Sequence, residues 1–329
     1  MLSVFRTNQL SYNILLLFYT ILLRSTTYIY PDLRQNPVNE GGFYTNYLIE
    51  TLGSGFWINE IFIVLLLFFQ AVWINYMIYE FRLAKEVSLY PGVFYLLICS
   101  NGVWLLPLSG VIIGNTFLIF AISTLLKTYR VPSCADVIFN IGFWVAISSF
   151  FELSNIVFLG FAIFGLNFMR AIKLKELLIV LVGFFTPYLL VGVYFFYFDK
   201  LGLFVQSHFG EHLSLSLLTI NNNLWINISV AFIGLLLAYH ILSYGEYFKK
   251  KNIQVQKRIS VFFLFFLTTF FGIFFQTNTD ATNILVLAIP LAIFSGFAFV
   301  DFKQRTASSL HWIWLVLVIV LQLGPKIFG

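Results

Sequence analysis

The chain has 329 residues, of which 60% are hydrophobic and 10% charged, with a formal net charge of +5. A soluble domain carries about 45–50% apolar and roughly 25% charged residues, so this charge deficit excludes an ordinary soluble enzyme and points to a polytopic membrane protein. The two cysteines, Cys99 and Cys134, lie apart and have no Cys or His neighbour at metal spacing, which argues against a disulfide framework.

The opening stretch, MLSVFRTNQLSYNILLLFYTILL, has one early positive charge and then an apolar run without a small-x-small cleavage pattern. It reads as a first transmembrane helix over 9–29 and not as a signal peptide. Further apolar runs follow at 56–79, 91–106, 110–126, 137–151, 153–169, 177–198, 225–245, 259–276, 282–300 and 309–325. The longer ones suit the roughly 20 residues that span a bilayer core. The expectation is therefore an all-α polytopic integral membrane protein of about eleven transmembrane helices, forming a single domain over 1–329.

Charge sets the orientation. With the N-terminus inside, the inner segments hold fifteen of the nineteen basic residues, leaving Arg24, Arg34, Lys200 and Lys326 outside. The acids lean the other way, with eight of fourteen outside. This is the positive-inside pattern, and adding or removing one central crossing would scramble it. The expectation is an N-terminus on the inner, cytoplasmic side and a C-terminus on the outer side of the membrane. The loop 246–258, with YFKKKNIQVQKR, is the most basic inner segment and lies near anionic head groups. No nucleic-acid module is evident. The outer loops of substance are 30–55 and 199–224.

Two central segments are too short for what they must do. Asp136 and Arg170 enclose 33 residues between basic loops, so this segment must cross twice. Two full crossings need about 40 residues. Glu152 then sits at the tip of an under-length hairpin, in the run GFWVAISSFFELSNIVFLGFAIF. The segment 91–126 follows the same arithmetic, with its arms broken by Asn101, Gly102, Pro107 and Gly110. Such interrupted segments occur at membrane depth where they line a cavity or pack inside protein. Two short hairpins opening outward imply a dent in the outer surface, roofed by the two outer loops. Glu152 is expected either to face that dent or simply to reach head-group water.

Outer loop one combines Asp32, Arg34, Glu40, Tyr44 and Glu50 with Pro and Gly. This mixture suits binding of a sugar or phosphate-bearing group, with a carboxylate as general base. It equally suits a solvated loop anchored by interfacial aromatics. In loop two, His208-x-x-Glu211-His212 formally matches an inverted zinc-protease pattern. Gly210 weakens the helix and no third ligand is evident, so a polar surface loop is the expectation there, with no metal and no cofactor. Asp280, in QTNTD, falls outside in a turn. His240 and His311 read as packing or interfacial residues. Walker, dinucleotide and Gly-x-Ser-x-Gly patterns are absent from the sequence.

The stretches FWVAISSF (143–150), GFFTPYLL (183–190) and ILVLAIPLAIFSGFAF (284–299) resemble an uncharacterised family of multi-pass inner-membrane proteins of Bacteroidota, which implies no activity. The layout, with an acidic first outer loop and short central hairpins, is also similar to GT-C-type glycosyltransferases and lipid-linked sugar polymerases. It departs from them in lacking an adjacent Asp-Glu pair in loop one and a large outer C-terminal domain. That resemblance implies an enzyme acting on a saccharide linked to polyprenyl phosphate at the outer face. Glu152, Glu40 or Asp32 would serve as base, and Arg34, with Arg24 in reserve, would hold the phosphate. Tyr44, Asn101 and Asp280 complete the candidate binding set. A non-catalytic subunit with a membrane-protein partner, or a transporter or flippase, are the alternatives.

Overall fold

The computed structural model describes residues 2–6, 10–30, 42–52, 56–131, 134–171, 173–210, 223–249, 251–274 and 281–327. Among these the chain is all-α. The helices are α1 (Leu10–Leu23), α2 (Ser25–Ile29), α3 (Phe43–Leu52), α4 (Phe56–Glu80), α5 (Tyr90–Cys99), α6 (Gly110–Lys127), α7 (Ala135–Phe151) and α8 (Phe158–Met169). They continue with α9 (Leu174–Tyr197), α10 (Leu201–Val205), α11 (Leu224–Leu242), α12 (Tyr244–Phe248), α13 (Ile253–Phe274), α14 (Ala288–Asp301) and α15 (Gln304–Ile327).

Among the described residues, seven helical segments are long and apolar enough to cross a membrane: α4, α6, α9, α11, α13, α14 with the turn before it, and α15. Shorter apolar helices cover Tyr12–Leu23, Tyr90–Cys99, Ala135–Phe151 and Leu153–Met169. Along α9, Leu178, Val182, Phe185, Leu189, Val193 and Phe196 all point outward. An apolar stripe of that length exposed on a helix is not compatible with water. The protein is an integral, multi-pass membrane protein.

At the centre stand α5 and α14, with every residue of α5 and all of Ala288–Val300 buried. They pack against each other, with Gly296 lying on Pro91. α5 is short because its sequence stops it. Asn101 precedes Gly102, whose φ of +149° is open essentially to glycine, and Pro107 blocks resumption. A 3₁₀ turn at Val103–Leu105 follows, and the Ser109 side chain then caps α6 by accepting from the Ile112 N–H. The arms of this broken segment have different partners, α5 packing mainly on α14 and α4, and α6 mainly on α7.

The expected first helix, 9–29, is broken at Arg24 into α1 and α2. The Thr27 hydroxyl and N–H both bond the Arg24 carbonyl, offering the backbone an alternative to the helical ladder. The expected run 282–300 likewise begins as a 3₁₀ turn, Ala281–Leu287, before α14. Pro290 in the first turn of α14 has no N–H to donate back into the preceding turn.

Candidate functional site

One end of the bundle carries Arg82, Lys85, Lys127, Arg170 and Lys251; the opposite end carries α3 and α10. At the α3 end, α7 stops at Phe151 and Glu152 takes an extended backbone, with φ −141° and ψ 109°, before a 3₁₀ turn at Leu153–Val157. A helix end leaves carbonyls without partners, and α3 supplies them. The Gly42 N–H and the Thr45 hydroxyl both donate to the Phe151 carbonyl, at 2.8 and 2.6 Å. A side chain on Gly42 would run into the Phe150 carbonyl, so glycine is needed for this docking. Tyr44 lays its ring against Phe150 and Phe151, and Phe43 packs between Phe195 and Phe204. Residues 42–52 thus cover the α7 tip, and Glu152 lies buried beneath them instead of facing an open dent.

Beneath this roof Glu152 is 8% exposed. Its carboxylate accepts from the Ser154 hydroxyl at 3.1 Å. It forms no ion pair with a basic side chain among the described residues. A carboxylate in that setting is costly unless something pairs, solvates or protonates it, which makes it a candidate functional group. Next to it the tip is held tightly: Asn155 donates to Ser148 Oγ, and Ser148 Oγ donates to the Gly114 carbonyl of α6. A crevice of about 10 Å³, enough for one water, lies between Ser154, Asn155, Thr269, Gly272 and Asn283. The chain three residues after Asp280 therefore lines the same crevice as the residues just after Glu152.

A second polar centre surrounds the break in α1–α2. Arg24 and Glu60 form a buried bidentate ion pair through Nε and Nη2, and Nη2 also donates to the Leu106 carbonyl at 2.7 Å. The Thr27 hydroxyl adds a bond to Glu60. Gln322 on α15 donates to the Leu23 and Ser100 carbonyls at 3.1 and 2.7 Å and accepts from Thr26. Asn101 and Ser229 on α11 exchange bonds. The irregular backbone of 100–109 is satisfied by these side chains instead of by water, the condition for such backbone to exist at membrane depth. Gln322→Leu should cost about 2 kcal/mol, because it takes the side-chain donor from the buried Leu23 carbonyl, leaves the Ser100 carbonyl with the Gly102 N–H alone and removes the acceptor of the Thr26 hydroxyl. Thermal unfolding in detergent measures this, and a variant as stable as wild type would remove Gln322 from the account.

Of the candidates read from sequence, Tyr44 packs from α3 onto Phe150 and Phe151, the residues just before Glu152. Arg24 and Asn101 belong to the second centre. Arg24 was expected as a reserve phosphate ligand, but Nε and Nη2 are committed to Glu60 and Leu106, and the residue is 1% exposed. Its place is structural because a guanidinium buried beside a carboxylate neutralises that carboxylate first. Asp32, Arg34, Glu40, Asp280, Glu211 and His212 lie outside the described residues. His208 packs in a ring cage of Phe150, Phe204 and Tyr188, where Tyr188 also bonds Ser149. His240 is held at both ring nitrogens by Tyr247 and Ser295, and His311 by Tyr19. Among the described residues no group of three or more His, Cys, Asp or Glu is arranged to hold a metal.

Sequence reading missed Glu60 and Gln322 as partners. Glu60 carries the signal that singles out Glu152, an acid within an apolar run, but its position near the start of that run lets it pass as a loop residue.

Comparison with protein-family models, with curated proteins and with solved structures finds no match in any of the three.

Proposed function

We propose that the protein is a bacterial inner-membrane enzyme of GT-C-like character, acting at the outer face on a saccharide linked to polyprenyl phosphate. In this reading the seven long and four shorter apolar helices make eleven crossings, with the N-terminus cytoplasmic and the α3 end outward. The carrying observation is Glu152, a buried carboxylate without a described basic partner beneath a roof made by outer loop one. Glu152 would accept the proton of the acceptor hydroxyl as that oxygen attacks the sugar's anomeric carbon, and the lipid phosphate would leave with the bonding electrons. Arg34 would hold that phosphate, since Arg24 is already engaged by Glu60. Asp32 and Glu40 are the remaining candidate bases.

The test is mass spectrometry of lipids that copurify in nanodiscs with wild type and Glu152→Gln. The substitution keeps size and hydrogen-bonding capacity and removes a buried charge, so the variant should fold at least as stably as wild type. A polyprenyl-phosphate species bound by wild type and altered in amount or glycosylation by the variant supports the reading. Bulk phospholipid in both preparations, with a stoichiometric protein partner, would replace it with a non-catalytic assembly subunit. A transporter is the second reading, favoured by the broken α5–α6 segment and the buried Arg24–Glu60 pair that reaches it through the Leu106 carbonyl.

A further inference from the structure

At the basic end, a polar cleft of about 80 Å³ opens between the turn after α4, the α11–α12 corner and the end of α14. Lys85, Lys251, Glu246, Asp301, Ser243 and Tyr239 line it. Lys85 is paired with Asp301. Lys251 forms no ion pair among the described residues, and its ammonium donates to the Leu83 carbonyl at 2.9 Å. Burial, with Lys85 nearby, pulls its pKa below the ordinary lysine value, against a smaller opposing effect of Asp301. Glu246 has a loose exposed contact with Lys249, at 3.9 Å. The cleft therefore offers charge of both signs, with a cation and an anion each short of a close partner.

Beside it, a largely apolar groove of about 440 Å³ runs between α11 and α13, lined by Leu237, Ile241, Tyr244, Phe263, Leu267 and Phe270. Cleft and groove lie on either side of consecutive residues, Ser243 lining one and Tyr244 the other. From Ser260, which lines the groove at its basic end, to Phe270 the groove follows α13 for about 15 Å at 1.5 Å per residue, directed from the basic end into the bundle's apolar middle. Tyr244 and Tyr247 both pack on Phe263, and Tyr247 is tied through His240 to Ser295, so α12 is a fixed rim between the two spaces.

We propose that cleft and groove together bind one phospholipid with a phosphoethanolamine head group. The phosphate rests on Lys251, Ser243 and Tyr239, the ammonium on Glu246 beside the Lys85–Asp301 pair, and one acyl chain, passing over the α12 rim, in the groove between α11 and α13. Balanced charge in the lining selects this head group: a purely anionic one would satisfy Lys251 but face Glu246 with like charge, Asp301 being paired with Lys85. The site lies at the opposite end of the bundle from Glu152 and stands whether or not the enzyme reading does.

Native mass spectrometry of the delipidated full chain, titrated with phosphatidylethanolamine and phosphatidylglycerol of matched chains, tests it. Wild type should retain the ethanolamine lipid in preference. Lys251→Ala should bind it about tenfold more weakly, the loss of roughly one charge-assisted hydrogen bond, while Lys251→Arg holds it. Glu246→Gln should abolish the preference over phosphatidylglycerol. Ile241→Trp should weaken binding by filling the groove with the cleft charges intact. Equal binding of the two lipids by wild type, which needs no variant to fold, would overturn the proposal. So would unchanged binding by a folded Lys251→Ala, or competition by glycerophosphoethanolamine at equal concentration, which would make the cleft a site for a soluble phosphate compound.

Discussion

Arg24→Ala or Glu60→Ala alone should destabilise the folded chain by about 3–5 kcal/mol, because each leaves a buried charge without its partner. The pair is 1% and 5% exposed and sits where α1 gives way to α2, with Arg24 also holding the Leu106 carbonyl. Losing Arg24 thus strips a donor from the irregular 100–109 backbone, and losing Glu60 leaves a guanidinium facing apolar surroundings. Replacing both by apolar residues of similar volume, Arg24→Met with Glu60→Met, should recover most of the loss, since desolvating an ion pair costs about as much as the pair returns. Thermal and denaturant unfolding in micelles gives the double-mutant cycle. Single variants within about 1 kcal/mol of wild type would mean that the pair is solvated and not part of the interior.

The second large effect lies where α7 crosses α9. A Cβ on Gly142 would strike the Val180 carbonyl, and one on Gly183 would strike the Phe139 carbonyl. The two backbones touch through reciprocal glycines, the close approach by which helices associate when lipid removes the hydrophobic driving force between them. Gly183→Val should cost about 3 kcal/mol, the upper end of overpacking penalties, because the clash is with main chain that cannot rotate away. Gly192→Val, on the same helix with open space around it, should stay within about 0.5 kcal/mol of wild type. Equal effects at the two positions would show that α7 and α9 do not approach as described.

Glu152 stands out in the sequence because one charge in an apolar run is costly wherever the run lies. What encloses it does not. Thr45 and Gly42 cap α7 from more than 100 residues away, and no local feature of FYTNYLIETL announces that partner. Arg24 and Glu60 are both legible as charges near helix ends, one read as a reserve phosphate ligand and the other as an outer acid, since spacing along the chain says nothing about which ends meet.

Membrane class, helical content and the long apolar segments follow from sequence alone, because transfer of each side chain into lipid is nearly additive and local, and a spanning helix satisfies its own backbone. The breaks at Arg24 and Gly102, the burial of α5 against α14, and the joining of Gln322 to Ser100 depended on the tertiary structure. Interrupted backbone inside a bilayer must find its hydrogen-bond partners on other helices, and those partners are set by three-dimensional packing between residues distant in the chain.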